Sequence, residues 1–180
     1  MSQYIRAQQK GGTFFFTVVT YQRQTFLLDE RIRMALRSSI NEVREMLPFS
    51  IDAWVLLPDH IHCIWTLPDE DSNYSKRWGL IKRGVSVQVK GDFHRADLMS
   101  KSKVNKREST LWQRRFWEHQ ISNEKDLKAH MDYLHYNPVK HGLVSQLKDW
   151  PFSSFHRYVK QGLYEPSWGN EYSFTGGYGE

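Results

Sequence analysis

Hydrophobic positions recur with two different spacings along the chain, and these spacings predict strands and helices. Residues 13–21, 51–57 and 60–67 are rich in β-branched and aromatic side chains, which predicts three strands. Between the first two, residues 30–46 carry apolar side chains every three or four positions, which predicts an amphipathic helix. The apolar face of this helix consists of Ile32, Leu36, Ile40, Val43 and Leu47.

Turn and capping residues limit these elements. Asp29 can cap the first helix, and Pro48 ends it because a proline disfavours helical geometry in the residue before it. Pro58-Asp59 forms a tight turn between the second and third strands. We therefore expect these two strands to pair as an antiparallel hairpin.

The second half of the chain is more polar. Residues 75–90 are expected to form a helix, 91–110 a polar and basic loop, and 117–121 a short strand. A further helix is expected over about 124–136, ended by Asn-Pro, and the segment from 149 predicts one or two helical turns. The order β-α-β-β-α-β-α predicts an α+β, ferredoxin-like fold: an antiparallel sheet with helices on one face, followed by a C-terminal extension.

Composition excludes several classes of protein. The chain has 180 residues, of which 39% are hydrophobic and 14% aromatic, enough for a packed core and against global disorder. No apolar run approaches the ~18 residues of a membrane span, and the N-terminus lacks the apolar segment of a signal peptide. Cys63 is the single cysteine, which excludes an internal disulfide and a cysteine-based zinc site. We expect a cytoplasmic protein without membrane contact.

Positive charge is concentrated in one stretch. The formal net charge is +5, yet residues 76–115 hold twelve cations against three acids, a net +9, so the rest of the chain is about −4. Such polarisation favours a surface that binds a phosphate backbone. The alternative is a solvated loop that binds nothing.

His60-Ile61-His62 is the first candidate for chemistry. Residues two apart on a strand point to the same face, so the two imidazoles form half of a metal site. Asp59 could orient one of them, or it could only shape the turn. The alternative is a pair of polar residues on a solvated strand face.

Tyr133 and Asn137 are the second candidate, because residues four apart share one face of a helix. A tyrosine hydroxyl can be a covalent nucleophile, and the amide oxygen could be a third metal ligand. Alternatively, Tyr133 packs in the core and Asn137 only ends the helix. With the histidine pair they form a coherent site in which a metal polarises a phosphate and the tyrosine attacks it.

Longer motifs around these residues resemble a known family. Leu57 to Trp65 is similar to the His-hydrophobic-His motif of single-tyrosine HUH transposases. Trp112 to His119, Met131 to Gly142 and Asp149 to His156 are similar to segments of the REP-associated tyrosine transposases. The resemblance extends from about residue 11 to 168. The stretch 91–109 departs from it, being longer and more basic than the family pattern.

The resemblance implies an activity and a site. It assigns His60, His62 and Asn137 as ligands of Mg²⁺ or Mn²⁺ and Tyr133 as the nucleophile, although two histidines would also suit Zn²⁺. The implied reaction cleaves single-stranded DNA to give a 5′-phosphotyrosine and a 3′-OH, which can later rejoin strands. The implied partner is a single-stranded DNA hairpin with a short 5′ foot, the REP element, bound by a monomer. Residues 1–145 would form the catalytic domain, and 146–180 an extension that packs on it or contacts DNA.

Further residues have candidate roles around this site. His119, with Asp59, could support it from beside the ligands. Candidate DNA contacts are basic or aromatic residues before the first strand, in the basic stretch and after the catalytic helix: Tyr4, Arg6, Lys10, Lys82, Arg83, Arg114, Arg115, Lys140 and His141.

Three classes of function remain open from the sequence. The first is the DNA strand-transfer enzyme. The second is a module that binds structured nucleic acid without cutting it, and the third is a metal-dependent phosphodiesterase that activates water. A covalent DNA–protein adduct is expected from the first class alone.

Overall fold

A four-stranded antiparallel sheet organises the protein. The structure, a computed structural model, describes residues 10–169. The sheet has the order β2-β3-β1-β4, in which each neighbouring pair is antiparallel. This order, with a helix between β1 and β2 and another between β3 and β4, confirms the predicted ferredoxin-like α+β fold. The strands are β1 (Gly12–Val19), β2 (Ser50–Leu56), β3 (His60–Leu67) and β4 (Trp117–Gln120).

One face of the sheet is covered by helices α1 (Glu30–Met46) and α2 (Tyr74–Gln88). The Asp29 side chain caps α1 by accepting a hydrogen bond from the Arg31 amide at 2.9 Å, as its position predicts. Alternate residues of β1 and β3 meet these helices, among them Phe16, and together they form the larger hydrophobic core. No helix within the described range is both long and apolar enough to cross a membrane.

The opposite face carries the third long helix, α5 (Glu124–Lys140). Phe15, Ala53 and Ile64 form a second apolar surface there, and Leu134 of α5 packs on it. The predicted arrangement with helices on one face therefore holds for α1 and α2 but not for α5. The reason is that both faces of the central strands carry apolar side chains, so both must be covered.

The prediction of a loop over residues 91–110 is largely wrong. The chain forms two short helices there, α3 (Lys90–Phe93) and α4 (Lys101–Asn105), with a 3₁₀ turn between them. The Lys103 ammonium points inward and donates to the backbone carbonyl of Ser109 at 2.9 Å and to that of Trp112 at 3.3 Å. These hydrogen bonds, together with the 4.1 Å distance from the ammonium to the Tyr21 ring centroid, fold the segment against the domain.

Helix α5 is one turn longer than predicted. It was expected to end at about residue 136, yet it continues through Pro138 to Lys140. Pro138 lies in the last turn, where its missing N–H removes one hydrogen bond close to the end of the ladder. Gly142, with a φ of 66°, follows as the left-handed residue that allows the chain to leave the helix.

The described part of the C-terminal extension packs along β2. The Phe152 carbonyl accepts from the Leu56 amide at 2.9 Å, and the Trp150 indole donates to the Leu56 carbonyl at 3.1 Å. Helix α6 (Phe155–Lys160) follows, in agreement with the predicted one or two turns. Because β2 is an outer strand of the sheet, these contacts cover its otherwise open edge.

The approach of α1 to α2 yields a stability prediction. A methyl group on Gly84 would lie 2.5 Å from Ser39 Oγ, so Gly84→Ala should destabilise the fold by about 1–3 kcal/mol through overpacking. Gly79 lies on the same helix with nothing within 4 Å of such a methyl group, so Gly79→Ala should stabilise by about 0.5–1 kcal/mol. Urea unfolding of both variants measures the difference, and equal effects would contradict the packing argument.

Candidate active site

His60 and His62 lie side by side on the face of β3 that α5 covers. Their ring centroids are 4.8 Å apart with the rings nearly perpendicular, and both side chains are buried. Ile61 and Cys63, the intervening and following residues, point into the core formed with α1 and α2. The alternation of the strand therefore separates the imidazole pair from the larger core.

Each imidazole is held through its Nδ1 atom. His60 Nδ1 lies 2.6 Å from Asp59 Oδ1, and His62 Nδ1 lies 2.9 Å from the Thr17 hydroxyl. Hydrogen bonds at Nδ1 fix the ring orientation and leave Nε2 as the nitrogen that can ligate a metal. Asp59 therefore lies where the sequence placed it, whereas the role of Thr17 was not anticipated. The contact of Thr17 with His62 could have been predicted from the β1–β3 pairing, in which the two residues lie directly opposite each other.

Asp59 remains a carboxylate at neutral pH. Burial raises the pKa of its carboxyl group, but hydrogen bonds from His60 and Arg23 outweigh this effect and lower the pKa to about 2. A charged acceptor strengthens the hydrogen bond to His60 Nδ1 and makes Nε2 a better electron-pair donor.

Tyr133 of α5 faces the imidazole pair. Its side chain is fully buried, and its ring centroid is 5.3 Å from that of His62. Lys140, two turns further along α5, donates a hydrogen bond from Nζ to the Tyr133 hydroxyl at 3.3 Å. The phenol oxygen is thus held by a cation beside the histidines.

Asn137 lies one turn after Tyr133 and is also buried. Its Nδ2 donates to the Tyr133 backbone carbonyl at 3.0 Å. Within residues 10–169, Asn137 Oδ1 and His60 Nε2 are buried without a hydrogen-bond partner. These two atoms are able to accept a ligand, and imidazole nitrogens with an amide oxygen are suitable donors for a divalent ion. The residues present therefore fit a metal.

His141 is a neighbour of the site whose position the sequence did not reveal. Its ring centroid lies 5.2 Å from that of His60 at a steep angle. Sequence reasoning treated it as a residue beyond the catalytic helix, because that helix was expected to end earlier. With α5 extended to Lys140, His141 follows directly and returns to the imidazole pair.

His119 belongs to a different cluster. It lies on β4, and β1 separates that strand from β3. His119 Nε2 is 2.9 Å from Asp126 Oδ2, and His130 Nδ1 is 2.9 Å from Asp126 Oδ1. Burial raises the pKa of Asp126, but the hydrogen bonds from His119 and Ser122 outweigh it and lower the pKa to about 2. Burial also lowers the pKa of His130, which favours its neutral form.

These three residues are a second group that could hold a metal, since their candidate ligand atoms lie within 4.8 Å of one another. The rings of His119 and His130 are stacked at 4.5 Å and are nearly parallel. Because imidazole lone pairs lie in the ring plane, nearly parallel rings cannot both point at one ion. In this arrangement the shared hydrogen bonds to Asp126 account for the cluster.

The candidate DNA contacts differ in how exposed they are. Lys82 donates to the Gln113 carbonyl at 2.9 Å, Arg114 pairs with Glu108 at 2.6 Å, and Lys10 pairs with Glu70 at 2.6 Å. Tyr4 and Arg6 lie outside the described residues. Arg83, Arg115 and His141 are exposed, and Lys140 is half-buried.

A basic cavity lies between α2 and the segment 94–114. It has a volume of about 650 Å³ and an apolar wall that includes Leu111 and Trp112. Five cations and one acid line its sides, namely Lys82, Arg83, Lys90, Arg107, Arg114 and Glu108. Trp112 pairs with Thr20 just after β1, and the Thr20 amide donates to the Asp59 carbonyl at 2.9 Å, so two backbone contacts connect the cavity wall to the hairpin that carries the histidines.

Comparisons with known proteins agree with one another. The family model described as "Transposase IS200 like" matches residues 12–137. A REP-associated tyrosine transposase of Escherichia coli is 46% identical over 171 residues, which cover 95% of this chain and 93% of the relative. A Haemophilus influenzae relative is 44% identical, with 94% of each chain covered.

A solved structure agrees as well. The structure of a REP-associated tyrosine transposase bound to a REP hairpin superposes with a TM-score of 0.81 and 44% sequence identity, and the alignment covers 100% of this chain and 98% of the other. HUH transposases are generally metal-dependent. The chain therefore belongs to the IS200-like transposase family and, within it, to the REP-associated tyrosine transposases, enzymes that cleave and rejoin DNA.

Proposed function

We propose that this protein cleaves and rejoins single-stranded DNA through a covalent 5′-phosphotyrosine on Tyr133, acting on a REP-type hairpin at its 5′ foot. The observation that supports this most directly is the Tyr133 hydroxyl, which is held by Lys140 beside the His60–His62 pair. The relative of known structure is bound to a REP hairpin, which supports the same class of substrate.

The reaction exchanges one phosphoester bond for another, so it needs no external energy source. The Tyr133 oxygen attacks the phosphorus, the bond from phosphorus to the 3′ oxygen breaks, and the departing strand ends as a 3′-OH that has gained one proton. In the reverse direction a 3′-OH attacks the phosphotyrosine and the phenol is released. The same residues serve both directions, because a reaction and its reverse share one transition state.

His60, His62 and Asn137 are proposed to hold one divalent ion, Mg²⁺ or Mn²⁺. When bound, it would supply Lewis-acid polarisation of the scissile phosphate. The support is the donor set and the two buried atoms without partners, His60 Nε2 and Asn137 Oδ1. Asp59 and Thr17 would orient the imidazoles, and the apolar ring of Phe15 lies against His62 at 5.4 Å between centroids.

The basic cavity between α2 and the segment 94–114 is proposed as the surface that holds the DNA backbone. Its exposed arginines, Arg83 and Arg107, support this, as does its position next to the histidine hairpin. We further propose a cytoplasmic monomer in which residues 1–145 carry the catalytic site and the described part of the extension, residues 146–169, stabilises it. The packing of the extension on β2 supports the second role.

Tyr133→Phe is the decisive test of the nucleophile. This change removes one oxygen and keeps the ring, so folding and hairpin binding should persist while cleavage is lost. Wild type, Tyr133→Phe and the matched control Tyr136→Phe are incubated with a labelled single-stranded hairpin and Mn²⁺ and run on a denaturing gel. Wild type and the control should give a covalent adduct and a free 3′-OH product.

Other outcomes of this gel support the rival functions. Cleavage by Tyr133→Phe at the wild-type rate, without an adduct, would indicate a phosphodiesterase that uses water. Hairpin binding by wild type without any cleavage would indicate a binding module. An adduct that persists in Tyr133→Phe and disappears in Tyr136→Phe would identify Tyr136 as the nucleophile.

Asp59→Asn tests the metal site. The amide can still accept a hydrogen bond from His60 but carries no charge, so Mn²⁺ affinity should fall about 10–100-fold. Isothermal titration of the DNA-free protein with Mn²⁺ measures this, and Asp69→Asn, on an exposed loop near the start of β1, is the control. Equal Mn²⁺ affinities for wild type and Asp59→Asn would show that Asp59 does not support metal binding.

The DNA surface is tested by salt dependence. Replacing Arg83 and Arg107 with glutamine should weaken hairpin binding and reduce the slope of log affinity against log salt by about 0.7–0.9 for each lost phosphate contact. A double control, Arg37→Gln with Lys160→Gln, removes the same charge from α1 and α6. If both double variants lower the slope equally, the effect comes from net charge and the cavity is not the binding surface.

A further inference from the structure

We propose that Lys140 is a catalytic residue that acts directly on the Tyr133 oxygen in both cleavage and rejoining. The inference rests on the proposed function, because it requires Tyr133 to be the nucleophile. Sequence reasoning placed Lys140 among the possible phosphate contacts. The structure instead directs its ammonium to the nucleophilic atom itself.

The contact depends on the length of α5. Tyr133 and Lys140 are seven residues apart, which is two helical turns, so they share a face only if the helix continues between them. It does continue, through Pro138, and Lys140 is its last residue. A helix that ended at residue 136 would release Lys140 into the following loop.

The geometry of the pair is that of a cation placed on a phenol. Lys140 Nζ lies 3.3 Å from the Tyr133 hydroxyl and 4.9 Å from the ring centroid. Lys140 is half-buried, whereas Tyr133 is fully buried. A buried phenol oxygen is poorly stabilised by water, so a fixed ammonium beside it has a larger effect than it would at an exposed tyrosine.

This placement has a chemical consequence. As the bond from the Tyr133 oxygen to phosphorus forms, the phenol loses its proton and the departing 3′ oxygen gains one; when that bond breaks in rejoining, negative charge returns to the phenol oxygen. An ammonium within hydrogen-bond distance stabilises that charge in both directions. Lys140 begins and ends as an ammonium, so it neither supplies nor consumes a proton overall.

Lys140→Met is the primary test, since methionine keeps an unbranched apolar chain but removes the charge and the donor. Single-turnover rates of adduct formation and of rejoining should both fall by about 10²-fold, comparable to the loss of one transition-state donor elsewhere. Lys140→Arg retains a charged donor and should be at least tenfold faster than Lys140→Met. Lys125→Met, at the exposed start of the same helix, is the matched control and should react at the wild-type rate.

Measurements of hairpin affinity and melting temperature distinguish this catalytic role of Lys140 from a phosphate contact and from a structural role. In a Tyr133→Phe background the hydroxyl is absent but the ring remains, so adding Lys140→Met should leave hairpin affinity unchanged. A loss of affinity there, with the salt slope reduced by about 0.7–0.9, would make Lys140 a phosphate contact and overturn the proposal. A lowered melting temperature together with no recovery by arginine would make its role structural and also overturn it.

A sulfur-substituted substrate identifies which oxygen Lys140 assists. In a hairpin whose scissile 3′ oxygen is replaced by sulfur, the leaving group needs little help. If Lys140 acts on the Tyr133 oxygen, the cleavage defect of Lys140→Met should remain about 10²-fold with this substrate, with Mn²⁺ present throughout. If the defect disappears, Lys140 assists the leaving group and the assignment is wrong.

The wild-type reaction distinguishes the two proposals. An adduct with wild type and an equally fast adduct with Lys140→Met would overturn the role of Lys140 and leave the proposed function intact. No adduct with wild type would overturn the proposed function, and the role of Lys140 with it.

Discussion

The two faces of strand β3 carry different chemistry, and the rest of the site depends on this alternation. Cys63 and Trp65 point toward α1 and α2 and lie in the larger core, while His60 and His62 point to the other side. This second face is mixed, because Ile64 lies beside the two histidines and continues the apolar surface of Phe15 and Ala53. Here α5 covers it, so the imidazoles are buried and need partners, which Asp59 and Thr17 supply at Nδ1.

Helix α5 contributes three residues to the site because their spacing places them on one side of the helix. Tyr133, Asn137 and Lys140 follow one another at spacings of four and three residues, so they form one stripe toward β3. Pro138 lies between Asn137 and Lys140 in the sequence and removes one backbone donor near the end of the helix. The helix nevertheless continues for two more residues, and those residues bring a cation to the phenol oxygen.

Sequence periodicity was sufficient to predict the bounds of α1 and β3 but not the end of α5. The bounds of α1 and β3 agree with the predictions because apolar spacing and capping residues such as Asp29 act locally. Asn-Pro was interpreted as the end of α5, because a proline usually ends or kinks a helix, whereas packing on the sheet outweighed that preference. The approach of His141 to His60 was missed for the same reason, since it depends on where the helix ends.

The basic stretch shows why charge counted along a sequence overestimates a binding surface. Arg77 is fully buried and donates to the Pro48 carbonyl at 2.8 Å and to Asp71 at 2.7 Å, so it connects α2 to the end of α1. Lys103 is likewise internal and satisfies backbone carbonyls. Neither cation can neutralise a phosphate without abandoning buried acceptors, which would cost about 1–3 kcal/mol for each acceptor left without a partner. Part of the positive charge therefore holds the fold together, and the accessible charge lies on exposed cations such as Arg83, Lys90 and Arg107.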